Sequence, residues 1–426
     1  MRPYKRLMTS SNTDQGLAAK RVRVLVVAAS FDILGGQAIQ AARLVSRLRE
    51  LPQFEVGFLP INPRLPGAFR ILQTVKYLRT VVTSLLYLAS LLARVPRYDV
   101  VHIFSAAYSS FVIAPTPAIL IAKLFRKRVV LNYHSGEAED HLKRWPSAVR
   151  TLRLFWFRGM ADADRFNART VGQARRLGDE VVVPSPFLVR VFAGFGIKAQ
   201  AINNHVELDQ FTFRGRQPLR PVFLANRNFQ AHYGVDCVLR AFALIQKKVP
   251  QAELLVAGYG NQRDALEALA RDLRLQNTSF LGRVEQDSIV EQYQRADIYL
   301  NGSLVDNQPL SILEAFACGL PVVTTDAGGI PDMVKDLRNG LVVNCGDYES
   351  MANRALRLLE DDQLAQSLIQ RAREDCGQYT WDAVRDEWIN LYRDLDARSP
   401  GTSNRNRPTS RFGKLRRMSF SEKRER

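Results

Sequence analysis

Short runs of β-branched and aliphatic residues recur along this chain with helix-period stretches between them, and the series occurs twice. The first run is Arg23-Val24-Leu25-Val26-Val27-Ala28-Ala29, uninterrupted in the way that a strand buried on both faces requires. A loop with Gly35-Gly36 follows, and apolar residues then fall at helical spacing from about Ala38 to Leu48. Further strand-like runs lie at 55–59, 100–104, 129–133 and 181–184. The second series opens at 221–225 and continues through strands at 252–257, 278–281, 298–301, 321–324 and 340–343. Helices are predicted at 236–247 and 263–273, others begin near Gln286, Ser311 and Tyr348, and a last one covers 380–395. Strands that alternate with helices form parallel sheets covered on both faces. The predicted fold class is therefore α/β, with two Rossmann-like domains facing across a cleft, and ligands expected beyond the carboxyl ends of the strands.

The predicted organisation is a basic tail over 1–20, an N-terminal domain over 21–203 and a C-terminal domain over 204–379. A helix at 380–396 is expected to pack back on the first domain, before a second basic tail over 397–426. A length of 426 residues exceeds what one core usually organises. The net charge of +18 is concentrated at the ends: the first 23 residues hold about +5 and the last 30 about +8. Both ends are rich in Ser, Thr, Asn and Arg and read as disordered. A run such as Arg411-Phe412-Gly413-Lys414-Leu415-Arg416-Arg417-Met418 suits anionic lipid. No base-reading motif accompanies it, so nucleic acid is not an expected partner. Cys237, Cys318, Cys345 and Cys376 lack ligand spacing and read as small core residues in a reducing compartment.

No apolar h-region follows the basic start before Val22, so no secretory signal is expected. The segment Thr80–Ala93 carries no charge and is flanked by Arg70, Lys76, Arg79, Arg94 and Arg97. It falls short of the roughly 20 residues that span a bilayer, which leaves a buried helix or an interfacial one dipping into headgroups. Either way the expected location is cytoplasmic, with peripheral contact to an anionic membrane face as an option.

The stretch from Asn301 to Pro331 carries the chemistry. A strand ends near Asn301, and a polar loop leads to a helix from about Ser311. The unpaired N–H groups of that helix start suit a phosphate. Asp306 lies in the loop, and Glu314, placed in the first helical turn, can accept two hydrogen bonds from a vicinal diol such as a ribose. A helix whose acidic first turn merely complements its dipole fits the same residues equally well.

Beyond that segment, the chain resembles the family 4 glycosyltransferases. Asp306 and Glu314 match the family's pair of acids separated by seven residues, with aspartate where glutamate is more usual. Ser311-Ile-Leu-Glu-Ala-Phe-Ala-Cys-Gly-Leu-Pro-Val-Val and Gly328-Gly329-Ile330-Pro331 follow the family pattern, as do Leu255-Val-Ala-Gly258-Tyr-Gly260, Leu281-Gly-Arg283-Val and Ala296-Asp297-Ile. The stretch Asn203-Asn204-His-Val-Glu-Leu-Asp-Gln-Phe211 is similar to its inter-domain segment.

The resemblance implies a GT-B fold and retaining transfer of a sugar from a UDP- or GDP-linked nucleotide sugar to a glycan or lipid-linked acceptor, with no metal or other cofactor. It assigns the ribose to Glu314, the transferred sugar to Asp306, the diphosphate to Arg227, and the reacting centre to His134. Gly35, Gly36, Asn307, Gln308, Pro309, Leu310 and Ser311 complete the implied donor site. The lysine that normally follows the arginine is missing; alignment on Gly234 puts Tyr233 in its place, beside His232.

Other signals are discounted. Gly258-Tyr-Gly260 lacks the third glycine of a dinucleotide fingerprint. Asp162-Ala-Asp164 mimics a metal motif inside an Arg-rich, helix-prone stretch. His102 reads as structural, and Trp381, Trp388 and Tyr392 as packing. The alternatives to transfer are a nucleotide-sugar hydrolase and a silent GT-B-like scaffold held to membrane by its basic tails.

Overall fold

A computed structural model of the chain describes residues 21–30, 35–65, 76–105, 107–144 and 180–397. Two six-stranded sheets, all parallel in their pairings, carry the structure. The first holds β1 (Val22–Ala28), β2 (Phe54–Pro60), β3 (Val100–Ser105), β4 (Arg128–Tyr133), β5 (Glu180–Val183) and β6 (Gln200–Ala201), in the order β2-β1-β3-β4-β5-β6. The second holds β7 (Val222–Asn226), β8 (Glu253–Ala257), β9 (Thr278–Gly282), β10 (Ile298–Asn301), β11 (Val322–Thr325) and β12 (Leu341–Val343), in the order β12-β11-β10-β7-β8-β9. The two residues of β6 give no sequence signal, because its single pairing with β5 forms the sheet edge.

With the first sheet come helices α1 (Gly36–Arg49), α2 (Lys76–Arg94), α3 (Ser109–Ile113), α4 (Pro115–Leu124), α5 (Ala138–Arg144) and α6 (Pro186–Gly194). With the second come α7 (Val235–Lys248), α8 (Arg263–Asp272), α9 (Gln286–Arg295), α10 (Leu310–Cys318), α11 (Ile330–Met333), α12 (Tyr348–Glu360) and α13 (Asp362–Cys376). The last helix, α14 (Trp381–Ala397), crosses back to the first domain.

The uninterrupted β1 run is explained by two cores. Leu25 and Val27 pack on one face with Tyr87, Leu91 and Ile103, while Val24, Val26 and Ala28 pack on the other with α1 and α14. Trp388 and Tyr392 of α14 are buried there, and His102 accepts or donates a 2.6 Å hydrogen bond with the Tyr392 hydroxyl. Burial pushes the His102 imidazole down to about 3, so it is a neutral core group. Asp297 has become a structural knot, taking Arg214 and Arg220 onto one buried carboxylate.

Two expectations are corrected. Cys237, Cys318 and Cys376 are buried, but Cys345 is exposed, because it lies in the turn after β12 where the chain leaves the sheet. The uncharged Thr80–Ala93 run is part of a longer helix whose outward side is apolar and exposed, so burial accounts for only its Tyr87 and Leu91 face. Helix and following turn supply 20 residues, Leu78–Arg97, holding an 18-residue window of mean hydropathy 1.4 of which 17% is buried. The Asp162–Asp164 motif and both basic tails lie outside the described residues.

Candidate active site

Each sheet order reverses at one place, between β1 and β3 in the first and between β7 and β10 in the second. At such reversals the loops diverge and open a crevice. The predicted residues leave the strands at this edge. Arg227 follows β7, Gly302 to Asp306 follow β10, Gly35-Gly36 follow β1, and His134 follows β4. They meet in a cleft of about 430 Å³ between the domains, lined by Gly35, Gly36, His134, Arg227, Asp306, Asn307, Gln308, Pro309, Leu310, Ser311 and Glu314.

Helix α10 begins at Leu310 behind Pro309, with no side-chain cap on its free N–H groups. Pro309 pre-sets the entry without needing a donor of its own, so the helix start faces the cleft as an anion site. Glu314 is the fifth residue of this helix, and the first turn holds no acid. Its carboxylate therefore stands one residue deeper than the sequence suggested, just past the first turn, and complementing the helix dipole does not explain it. Instead, Arg43 of α1 donates to Oε1 at 3.2 Å, and the Tyr293 hydroxyl lies 3.1 Å from Oε2. Both members of the Arg43–Glu314 pair are buried. A carboxylate has about four acceptor positions, so a diol can still be held at Glu314.

Asp306 is held from three sides. It forms an ion pair with Arg227, accepts from Ser303 Oγ at 3.1 Å, and takes its neighbour's Asn307 N–H at 2.9 Å. Arg227 spans from that carboxylate to Ser311 Oγ, 3.4 Å away, with its guanidinium 4.1 Å from the Tyr233 ring centroid. Tyr233 thus stands where the resemblance puts a lysine, and burial raises its phenol. It is a neutral hydroxyl there, not a second cation. Among the described lining residues Arg227 is the sole arginine or lysine, against the carboxylates of Glu137, Asp306 and Glu314.

The Gly328-Gly329 turn is dictated by the Asp306 loop. A Cβ on Gly328, which has φ +54°, would fall 2.0 Å from the Asp306 carbonyl oxygen, and one on Gly329 would fall 2.2 Å from that of Asn307. Asn307 and Gln308 line the cleft, but their side chains are committed across it. Ser185 donates to Asn307 Oδ1, and Gln308 takes the Asn204 N–H and donates to Asn203. His134 lies at the cleft with its ring stacked on Phe104, and Nε2 is enclosed without a protein partner. Burial pushes its imidazole down to about 3, so it faces the cleft as a neutral hydrogen-bonding group.

Sequence reasoning missed Arg43 and Tyr293. Arg43 sits mid-helix between Ala42 and Leu44, 271 residues from Glu314, and no spacing rule joins them. Tyr293 was one aromatic in an ordinary amphipathic helix.

Two Rossmann-like domains with this cleft between them are the GT-B architecture. A solved Anabaena protein, Alr3699/HepE in complex with UDP-glucose, superposes with a TM-score of 0.64 over 87% of this chain and 99% of its own, at 17% identity. Residues 209–375 match the family model described as glycosyl transferases group 1. The fold is accordingly GT-B, and residues 209–375 form a region similar to the group 1 glycosyl transferases. The sulfoquinovosyl transferase SQD2 of Arabidopsis thaliana is 24% identical over 86% of this chain and 72% of its own length. A phosphatidyl-myo-inositol mannosyltransferase of Mycolicibacterium smegmatis is 26% identical over 69% and 71%. Other relatives reach 31–32% identity, but the matched region spans only 41–46% of their length.

Proposed function

We propose that the protein transfers a sugar from a UDP- or GDP-linked donor to an acceptor hydroxyl, with retention at the anomeric carbon. The observation that carries this reading is the convergence of Glu314, Asp306, Arg227 and an uncapped helix start on one inter-domain cleft. Glu314 accepts the ribose hydroxyls, and the α10 amides and Arg227 take the diphosphate. Negative charge builds on the diphosphate as the glycosidic bond breaks, so fixed donors aimed at it lower the barrier. The Tyr233 hydroxyl donates where related sites use a cation. Asp306, ion-paired with Arg227, receives hydroxyls of the transferred sugar, and neutral His134 hydrogen-bonds at the reacting face. Retention is assigned from the resemblance: a same-face attack assisted by the leaving phosphate. The acceptor is bound from the N-terminal domain and is a glycan or lipid-linked hydroxyl, in keeping with the acceptor named for the mannosyltransferase relative.

A thermal-shift screen against UDP, GDP and their sugars tests the donor site. Saturation at 100 times the dissociation constant stabilises by about 2.7 kcal/mol. No shift with any nucleotide sugar would remove the proposal, and release of free sugar unchanged by acceptors would replace transfer with hydrolysis.

A further inference from the structure

The solvent face of α2 is apolar where a surface helix is normally polar. Leu78, Val81, Leu85, Leu88 and Leu92 are 37–61% exposed and recur at alternating steps of three and four, which is one continuous stripe. The opposite side of the helix is already used: Tyr87 and Leu91 sit in the first-domain core, and the Tyr87 hydroxyl donates to the Ala114 carbonyl at 2.8 Å. Helix α4, against which α2 packs, leaves Leu120 and Leu124 63% and 71% exposed.

The charge around this face has one sign. Residues 76–98 and 115–128 contain no Asp or Glu, while Arg79, Arg94, Arg97, Lys123 and Arg126 lie in those stretches. Two copies meeting face to face would bring these cations together, which disfavours self-pairing. An anionic bilayer accepts both features, leucines in the acyl boundary and guanidinium groups among headgroups. The helix does not cross the bilayer, because that would tear Tyr87 and Leu91 out of the core.

We infer that the α2–α4 face docks the protein on an anionic lipid surface, with α2 lying in the plane of the interface. The inference stands apart from the transfer reaction, since binding is measured without substrate.

The test is vesicle co-sedimentation of the full chain, on phosphatidylcholine alone and on mixed phosphatidylcholine–phosphatidylglycerol. Wild type is expected to bind the mixed vesicles, and Leu85→Gln/Leu88→Gln to lower that binding on the order of tenfold or more. Melting temperature should be unchanged, since both side chains face solvent. Three results overturn it: the double variant binds as wild type does, which assigns binding to the basic tails; wild type ignores mixed vesicles; or the variant only splits a self-associated species in sedimentation.

Discussion

Glu314 cannot be altered without consequence for Arg43. The pair is buried, with side chains 5% and 7% exposed and 3.2 Å between charged atoms. At an effective dielectric of 20 that separation corresponds to roughly 5 kcal/mol of Coulomb attraction, most of it offsetting desolvation. Removing one partner leaves the other charge stranded, at a cost of about 3–5 kcal/mol. Arg43→Met should therefore lower the melting temperature by on the order of 10 °C. Arg43→Met/Glu314→Gln should recover more than half of that loss, since no uncompensated charge remains. A double-mutant cycle by thermal or urea unfolding measures the coupling. The double variant separates stability from function, because Gln offers one acceptor oxygen and should lose the donor-induced thermal shift while staying folded. Additive effects within about 0.5 kcal/mol would refute the buried pair. A full donor shift in the double variant would refute the ribose assignment.

Other outcomes follow from the same geometry. His102 and His134 are both held near 3 by burial, below the unfolded value of about 6.5. Their contribution to stability is complete above that value and is lost progressively as pH falls from 6.5 toward 3, where only the unfolded chain takes up protons; urea melts across this range should show the slope, and His102→Phe should reduce it. Tyr233→Phe should weaken nucleotide-sugar binding about fivefold by calorimetry, the loss of one hydrogen bond worth about 1 kcal/mol; an unchanged affinity would mean the phenol only supports Arg227. Gly328→Ala should abolish the donor-induced shift by pushing the Asp306 carbonyl, because its Cβ arrives 2.0 Å away; retained donor binding would show that the loop yields.

The doubly repeated alternation of strands and helices was plain in the sequence because apolar runs such as Val24–Ala28 must satisfy two cores at once. Several cleft residues were legible for a related reason, since Gly35, Gly36, Arg227 and Asp306 follow strands at the points where the sheet order reverses. What stayed hidden depends on distance in the chain. Arg43 meets Glu314 only after both domains fold, and Asn307 and Gln308 spend their side chains on Ser185, Asn203 and Asn204. The turn assignment of Glu314 failed because Pro309 starts the helix a residue earlier than Ser311. The exposed stripe on α2 was invisible as exposure, since leucines at heptad spacing read identically whether a core or a bilayer takes them.

The return of α14 has an implication for biosynthesis. Val24, Val26 and Val100 are covered by residues near position 390, made some three hundred and sixty positions later than the first strand. On the ribosome the first lobe must wait with part of one greasy side bare, beside α1, until nearly the whole polypeptide has emerged. Chain release just short of Trp381 should thus produce an aggregating fragment instead of a free-standing amino-terminal half, and holdase chaperones have a defined flank to grip in the interval.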